Sequence, residues 1–164
     1  MDEHTFARLA EAYAKRFYVV AYRLLGNQAD AEDAVQRTLT KCFAARATYS
    51  PRWAASTWLY RALTNVCVDE LRRRRTVTSG ADAAALISGP RPEAGAPDRI
   101  DLHRALARVP REARLLLALR YVDGLSYGEL ARIRGISVNT VKSQLARGKA
   151  IVRDALGPAK EPRK

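Results

Sequence analysis

The chain has 164 residues, with 29 Lys or Arg against 17 Asp or Glu, a formal net charge of +12 and a pI near 10.3. This excess favours a polyanionic partner such as nucleic acid, because binding releases the counterions of the polyanion. The sequence has no run of about 18 apolar residues and no signal-peptide pattern, so we expect a cytoplasmic protein without membrane insertion. Its cysteines, Cys42 and Cys67, form no metal-ligand motif, so we expect no bound metal.

The first block, residues 1–75, has helical periodicity. Apolar residues over 6–24 recur at spacings of three and four, which predicts an amphipathic helix that Gly26 ends. Asp30 is predicted to cap a second helix, with further acidic residues in its first turn. The predicted buried stripe of that helix consists of Val35, Leu39 and Phe43. Its exposed side carries mixed charge, which indicates either plain solvent exposure or a face that docks a partner.

A third helix is predicted to start at Ser56 or Thr57 and to end in the basic run 72–75. Its predicted inward face consists of Leu59, Ala62, Leu63, Val66 and Cys67. A second face, spanning about a quarter of the circumference, carries Trp58, Arg61, Asn65, Asp69 and Arg72. Aromatic, amide and cationic groups together suit stacking on unpaired bases and pairing with phosphates. The alternative is that Trp58 belongs to the core and that Arg61 and Asp69 form a surface pair.

Residues 76–99 are rich in Ala, Gly, Pro and Ser, which predicts an extended linker. We expect this compliant linker to leave the two flanking blocks without a fixed relative position. The second block, residues 100–157, is predicted to contain four helices, with Pro110 in the first turn of the second and Gly124 at its end. The apolar stripes of its first two helices are Leu102, Leu106 and Val109, and then Leu115, Leu116 and Leu119.

The last two helices form a helix-turn-helix pattern. Ser126 and Glu129 make a capping box, Gly135 supplies a left-handed turn residue, and Ser137 caps the longer helix. The buried stripe of that helix is Val141, Leu145 and Val152, and its opposite face carries Asn139, Lys142, Ser143, Ala146 and Arg147. A short helix, a glycine turn and a basic helix are the parts that place side chains in a DNA major groove.

Nothing in the sequence indicates catalysis. It contains no GxSxG, P-loop or HExxH motif, and its two histidines are isolated. The acidic trio Asp30, Glu32 and Asp33 is explained by helix-start charge more simply than by a metal site. We therefore expect an all-α protein that is not an enzyme and that has no cofactor and no small-molecule substrate.

Three segments, in this order, resemble the extracytoplasmic-function sigma factors, which are group 4 of the sigma-70 family of bacterial RNA polymerase. The first is LLGNQADAEDAVQRTLTKCF, in which an acidic helix start precedes Val-Gln-x-Thr. The second is STWLYRALTNVCVDELRRRR, with Trp-Leu-Tyr-Arg-x-x-x-Asn and a basic end. The third is VPREARLLLALRYVDGLSYGELARIRGISVNTVKSQLARGKAIVR, which is similar to the family's promoter-binding domain nearly end to end.

The resemblance implies a domain order and a set of partners. Region 2, over residues 1–75, would bind core polymerase and recognise and melt the −10 element. The linker 76–99 would thread near the active-site cleft, and region 4, over 100–157, would read the −35 element ahead of a basic tail at 158–164. The implied partners are the β′ clamp helices and β flap of core RNA polymerase, promoter DNA and an anti-sigma factor.

The resemblance also assigns roles to matching positions. The implied core-polymerase contacts are Asp33, Gln36, Arg37, Leu39 and Lys41. The implied −10 contacts are Trp53, Ser56, Trp58, Arg61, Asn65, Arg72 and Arg73. The implied −35 contacts are Ser126, Tyr127, Ser137, Asn139, Thr140, Lys142, Ser143 and Arg147. The alternative function is a stand-alone helix-turn-helix regulator with a dimerising N-terminal domain, which would not need the aromatic and basic face of the third helix.

Overall fold

The computed structural model describes residues 1–77 and 97–157, and over these residues it contains helices and no strands. The N-terminal domain consists of α1 (Glu3–Leu25), α2 (Gln28–Ala45), a short 3-10 turn (Arg46–Thr48) and α3 (Ala55–Val77). The C-terminal domain consists of α4 (Pro97–Ala107), α5 (Arg111–Asp123), α6 (Tyr127–Arg134) and α7 (Val138–Leu156). The predicted all-α fold with two small helical domains is confirmed. In the described ranges, no helix is both long and apolar enough to cross a membrane.

The N-terminal domain is built on a core shared by α1 and α3. Phe17 and Val20 of α1 and Leu59 and Leu63 of α3 are fully buried. Gly26 ends α1 as predicted, with a φ of 80°, a left-handed conformation that favours glycine. The predicted inward face of α3 is also confirmed, with Ala62 half-buried and its other members buried. Helix α3 starts at Ala55, just before the predicted serine or threonine.

Two expectations for α2 are wrong. Its N-cap is Asn27, whose side-chain oxygen accepts a 2.8 Å hydrogen bond from the Asp30 amide, so Asp30 lies in the first turn instead of capping it. Its buried stripe is Ala31, Ala34, Thr38 and Cys42. The larger residues Val35 and Leu39 are half-buried, and Phe43 is 38% exposed. Small side chains occupy the seam because they let α2 approach its neighbours closely, while the larger apolar ones flank it.

The helix-turn-helix forms as predicted. Both bonds of the Ser126–Glu129 capping box are present, Gly135 has a φ of 66°, and Ser137 caps α7. The start of α5 differs from the prediction, because Pro110 is the N-cap of this helix and not part of its first turn. The predicted linker 76–99 also shortens, because α3 extends through Val77 and α4 begins at Pro97. Its remaining residues, 78–96, lie outside the described residues.

The two domains pack against each other, which corrects the expectation that they have no fixed relative position. Helix α1 contacts α5, and α3 contacts α6. The hydroxyl of Tyr60 donates a hydrogen bond to Asp123, and Arg16 lies 3.8 Å from the same carboxylate. Arg134 of α6 contacts the Thr64 hydroxyl of α3 at 3.5 Å. These contacts pack the two domains together in a defined relative position, which the composition of the linker does not specify.

Candidate nucleic-acid interface

Helix α7 presents one packed face and one exposed face. Val141 and Leu145 are buried in the C-terminal domain. The predicted opposite face is exposed along its whole length, and consists of Asn139, Lys142, Ser143, Ala146 and Arg147. Short amide and hydroxyl side chains at the start of the helix and longer cations beside them suit a major groove, where base edges lie near the helix N-terminus and phosphates lie at its flanks.

Several predicted −35 residues already have structural partners. The Ser126 hydroxyl accepts a hydrogen bond from the Glu129 amide at 3.2 Å, and the Ser137 hydroxyl accepts one from the Thr140 amide at 3.1 Å. These serines therefore position the two helices of the motif. The ring of Tyr127 is half-buried under the Arg120 guanidinium, which lies 5.2 Å from its centroid. The predicted −35 set thus divides into residues that orient α7 and residues that project from it.

The second face of α3 is exposed. The side chains of Arg61 and Asn65 form no hydrogen bond within the described residues, and Arg61 does not pair with Asp69, which instead lies 4.0 Å from Arg72. Trp58 is half-buried, so it is neither fully core nor free in solvent. The face thus carries an amide and a guanidinium near a half-buried tryptophan in sequence, and it lacks the Arg61–Asp69 pair that the structural explanation of the face requires.

Tyr49 joins the two tryptophans of this surface, and sequence reasoning missed it. Its ring packs against Trp58 with centroids 5.4 Å apart, and its hydroxyl donates a 2.6 Å hydrogen bond to the carbonyl oxygen of Trp53. Trp53 itself is 46% exposed in the loop before α3, close to Ser56 in sequence. The signal for Tyr49 was available as an aromatic residue just before the proline of that loop. The result is a surface with two tryptophans held by one tyrosine.

The basic end of α3 is partly structural. Arg73 pairs with Glu70 at 2.7 Å, and Arg74 pairs with Asp30 and donates a 2.8 Å hydrogen bond to the Leu25 carbonyl oxygen. Glu70 is buried, so these arginines stabilise a carboxylate that burial would otherwise make costly. Arg72, which the sequence also placed in the −10 set, is exposed.

The predicted polymerase-binding residues lie on the outer side of α2. Gln36 and Lys41 are exposed, and Leu39 is half-buried beside them. Arg37 is held between two carboxylates, 3.4 Å from Asp33 and 3.5 Å from Glu70 of α3. Arg37 therefore ties α2 to α3, while its neighbours remain available to a partner.

The two cysteines are buried thiols. Burial raises the pKa of Cys42 to about 11 and that of Cys67 to about 12, so both remain protonated near neutral pH. Over residues 1–77 and 97–157, no group of three His, Cys, Asp or Glu side chains is placed to hold a metal ion.

Two family models match the chain, one to each domain. The model of sigma-70 region 2 matches residues 9–77, and the model of sigma-70 region 4 matches residues 99–152.

Curated relatives match along most of the chain. It is 36% identical over 156 residues to the ECF RNA polymerase sigma factor SigE of Mycolicibacterium smegmatis, a match that covers 90% of this chain and 60% of that protein. It is 32% identical over 161 residues to the ECF RNA polymerase sigma factor SigC of Mycobacterium tuberculosis, a match that covers 94% of this chain and 85% of SigC. The match to SigW of Bacillus subtilis is 29% identical over 170 residues and covers 94% of this chain and 90% of that one.

Solved structures share the fold. The sigma factor RpoE of Bartonella quintana, in complex with the anti-sigma factor NepR, superposes with a TM-score of 0.77 at 24% identity, covering 93% of this chain and 96% of that chain. CnrH, in complex with the cytosolic domain of CnrY, superposes with a TM-score of 0.70 at 22% identity, and the match covers 92% of this chain and 86% of CnrH.

Proposed function

The chain belongs to the RNA polymerase sigma factors of the extracytoplasmic-function type in the sigma-70 family, and we propose that three of its exposed faces bind core polymerase, the −10 element and the −35 element. The observation that carries this proposal is the face of α3. Its Arg61 and Asn65 side chains have no hydrogen-bond partner within the described residues, beside a tryptophan held by Tyr49. A dimerising helix does not need such a face, so the stand-alone regulator is not favoured.

At the −35 element, the exposed face of α7 enters the major groove. Asn139 and Ser143 are short and lie near the helix start, so they contact base edges. Lys142 and Arg147 are longer and contact phosphates, which adds affinity for every sequence. Ser126 and Ser137 act indirectly, because their hydroxyls cap the helices that carry these groups.

At the −10 element, α3 and the loop before it open the duplex. An unpaired base stacked on an aromatic side chain gains about 1–3 kcal/mol, and Trp53 and Trp58 offer such surfaces. The Asn65 amide can hydrogen-bond a flipped base edge, and Arg61 and Arg72 can contact the phosphates beside it.

At the polymerase, the outer side of α2 docks on the clamp helices of β′, and the C-terminal domain lies near the β flap. Gln36, Leu39 and Lys41 provide an exposed amide, apolar and cationic surface for this contact. The ion pair between Arg37 and Asp33 lies at the edge of this surface. The protein thus acts in the cytoplasm as a dissociable subunit without catalytic groups of its own.

An anti-sigma factor is a further proposed partner. RpoE of Bartonella quintana, which shares this fold, was solved with the anti-sigma factor NepR bound, and CnrH was solved with the cytosolic domain of CnrY bound. The packing of the two domains against each other gives such a partner a single body to hold.

The function is tested by mixing the purified chain with core RNA polymerase, isolating the complex by size exclusion, and measuring run-off transcription from genomic fragments. We expect the chain to co-elute with core and to direct discrete transcripts. Tight, sequence-specific binding of duplex DNA by the free chain, without core binding, would instead support the stand-alone regulator.

A further inference from the structure

A cleft of 520 Å³ lies between the two domains. Its N-terminal wall comes from the ends of α1 and α3, and its C-terminal wall comes from α4, the start of α5 and the middle of α7. Both walls are cationic. The arginines that line the cleft are Arg23, Arg74, Arg75, Arg111, Arg114 and Arg147.

Carboxylates balance only part of this charge, since Asp30 and Glu70 pair with Arg74 at the edge of the cleft. Among the described residues that line the cleft, Glu112 is the one acid, and both of its oxygens are engaged by Arg134 on a neighbouring helix. The side chains of Arg23, Arg111 and Arg147 form no ion pair or hydrogen bond with any residue in the described ranges. Like charges brought together in a partly enclosed space repel, so the cleft favours an anion that neutralises them.

Two polar atoms of the residues that line the cleft also lack acceptors. The Nε atoms of Arg111 and Arg114 are buried without a hydrogen-bond partner within the described residues. One terminal nitrogen of Arg114 donates hydrogen bonds to the carbonyl oxygens of Ala107 and Val109, whereas its Nε has no partner within the described residues. Buried polar groups of this kind are uncommon unless a ligand or water supplies the partner.

The backbone at the start of α5 adds to the positive charge of the cleft. Helix α5 begins at the cleft, with Pro110 as its N-cap and no side chain bonded to its first amides. A helix N-terminus carries a partial positive charge and free amide donors. Burial lowers the pKa of Arg114. Burial, followed by the nearby charges of Arg23 and Arg114, lowers the pKa of His103.

We propose that this cleft is a binding site for a polyphosphate anion, either inorganic or as the phosphate chain of a nucleotide. Its volume lies within the range of about 300–1,000 Å³ that is usual for small-ligand sites. Guanidinium groups match phosphate oxygens in a bidentate manner, and arginines on both walls suit a chain of several phosphates better than a single one. A ligand bound to both walls holds the two domains together.

The site has a consequence that rests on the proposed function. Arg147 lines the cleft and also belongs to the exposed face of α7 that contacts the −35 element. A polyphosphate that engages Arg147 removes one phosphate contact from promoter binding. The ligand therefore competes with −35 DNA and favours the form in which the domains are packed together.

The test is isothermal titration of the full chain with sodium tripolyphosphate at constant ionic strength, which does not depend on transcription. We expect saturable binding to one site. The double variant Arg23→Gln, Arg111→Gln should raise the dissociation constant by about tenfold or more, because it removes charge-assisted hydrogen bonds. The matched control Arg8→Gln, Arg104→Gln removes the same charge from exposed positions of α1 and α4, and should change it by no more than about twofold.

A second variant keeps the test independent of folding defects. Gln144→Glu places a carboxylate in the cleft, so it should weaken tripolyphosphate binding while raising the melting temperature of the free protein. Equal losses in the two double variants, or no saturable binding by the wild type, would overturn the proposal. Binding of a hexaglutamate peptide in place of tripolyphosphate would also overturn it, in favour of an acidic protein segment.

Discussion

The hydroxyl of Tyr60 in α3 donates a hydrogen bond to the carboxylate of Asp123 at the end of α5, and this bond links the two domains. The Asp123 side chain is 2% exposed, and Arg16 lies 3.8 Å from its other oxygen. Burial, followed by the hydrogen bond to Asp123, raises the pKa of Tyr60 above its ordinary value, so the phenol remains a donor. The relative position of the domains therefore depends on a buried polar contact.

Replacing Tyr60 by phenylalanine should destabilise the protein by roughly 1–3 kcal/mol, because it leaves a buried carboxylate short of a donor. The ring packing against Phe17, at 5.2 Å between centroids, is retained by the substitution. Urea denaturation measures the change. Tyr18→Phe is the matched control, since the Tyr18 hydroxyl has no hydrogen-bond partner within the described residues. Equal stabilities for both variants would mean that the bond to Asp123 contributes nothing.

His103 should make stability depend on pH. Burial, aided by Arg23 and Arg114, lowers its pKa below 6.5 in the folded protein. The unfolded chain then binds a proton at His103 that the folded chain does not, so stability is full above the unfolded pKa and falls as the pH drops through 6.5 towards the folded pKa. The melting temperature should therefore fall more between about pH 7.5 and 5.5 for the wild type than for His103→Gln.

The control for this pH effect is His4→Gln, at an exposed position near the start of α1. It should retain the wild-type fall in melting temperature. A His103→Gln protein with the same pH profile as the wild type would contradict the assignment to His103.

Asn139 and Lys142 should contribute differently to −35 binding by the holoenzyme. Lys142→Ala should weaken binding to all sequences alike and reduce the slope of log affinity against log salt by about one unit. Asn139→Ala should cost about 1–3 kcal/mol on the preferred sequence and less on variants of the base it contacts. Fluorescence anisotropy on a panel of −35 sequences at several salt concentrations separates the two. Uniform losses from both variants would mean that neither residue reads a base.

Core binding should depend on the outer side of α2. Gln36→Ala combined with Lys41→Glu should weaken core polymerase binding by about 1–4 kcal/mol without changing the circular dichroism spectrum, because both side chains are exposed. Arg37 is unsuitable for this test, since it bridges Asp33 and Glu70 and its loss would disturb the fold. A control pair on α1, Glu11→Ala and Lys15→Glu, should leave core binding unchanged. Loss of binding in the control pair alone would place the docking surface on α1.

The sequence predicted those features that local rules determine. The capping box at Ser126, the glycine turn at Gly135 and the exposed face of α7 follow from residues within one or two helical turns of each other. The buried stripe of α2 was not predictable in this way. Periodicity favoured the largest apolar residues, whereas close helix packing selected small ones such as Ala34 and Thr38.

Tertiary contacts account for the rest of what was missed. Tyr49 contacts both tryptophans of the proposed −10 surface, through a ring contact and a backbone hydrogen bond. Its place before the loop proline is visible in the sequence, but neither of these contacts is. The packing of the two domains depends on Tyr60 and Asp123, which are far apart along the chain and are each unremarkable in their own helix. Helices α7 and α5 also approach each other closely at Gly148, where a Cβ would lie 2.8 Å from the Leu117 side chain. This contact, too, joins residues that are far apart along the chain.

We propose that the α3 face of Trp58, Arg61 and Asn65 opens the −10 element. Permanganate footprinting of unpaired thymines tests it most directly, on a promoter mapped with the reconstituted holoenzyme and on the same promoter with a premelted −10 bubble. Arg61→Ala and Asn65→Ala should reduce duplex opening while core binding and melting temperature stay near wild type. The bubble should restore more of the Arg61 defect than of the Asn65 defect, because we propose that Asn65 also reads a base. Wild-type opening by both variants would mean that this face does not open the duplex, and loss of core binding together with a lowered melting temperature would mean that the face is structural.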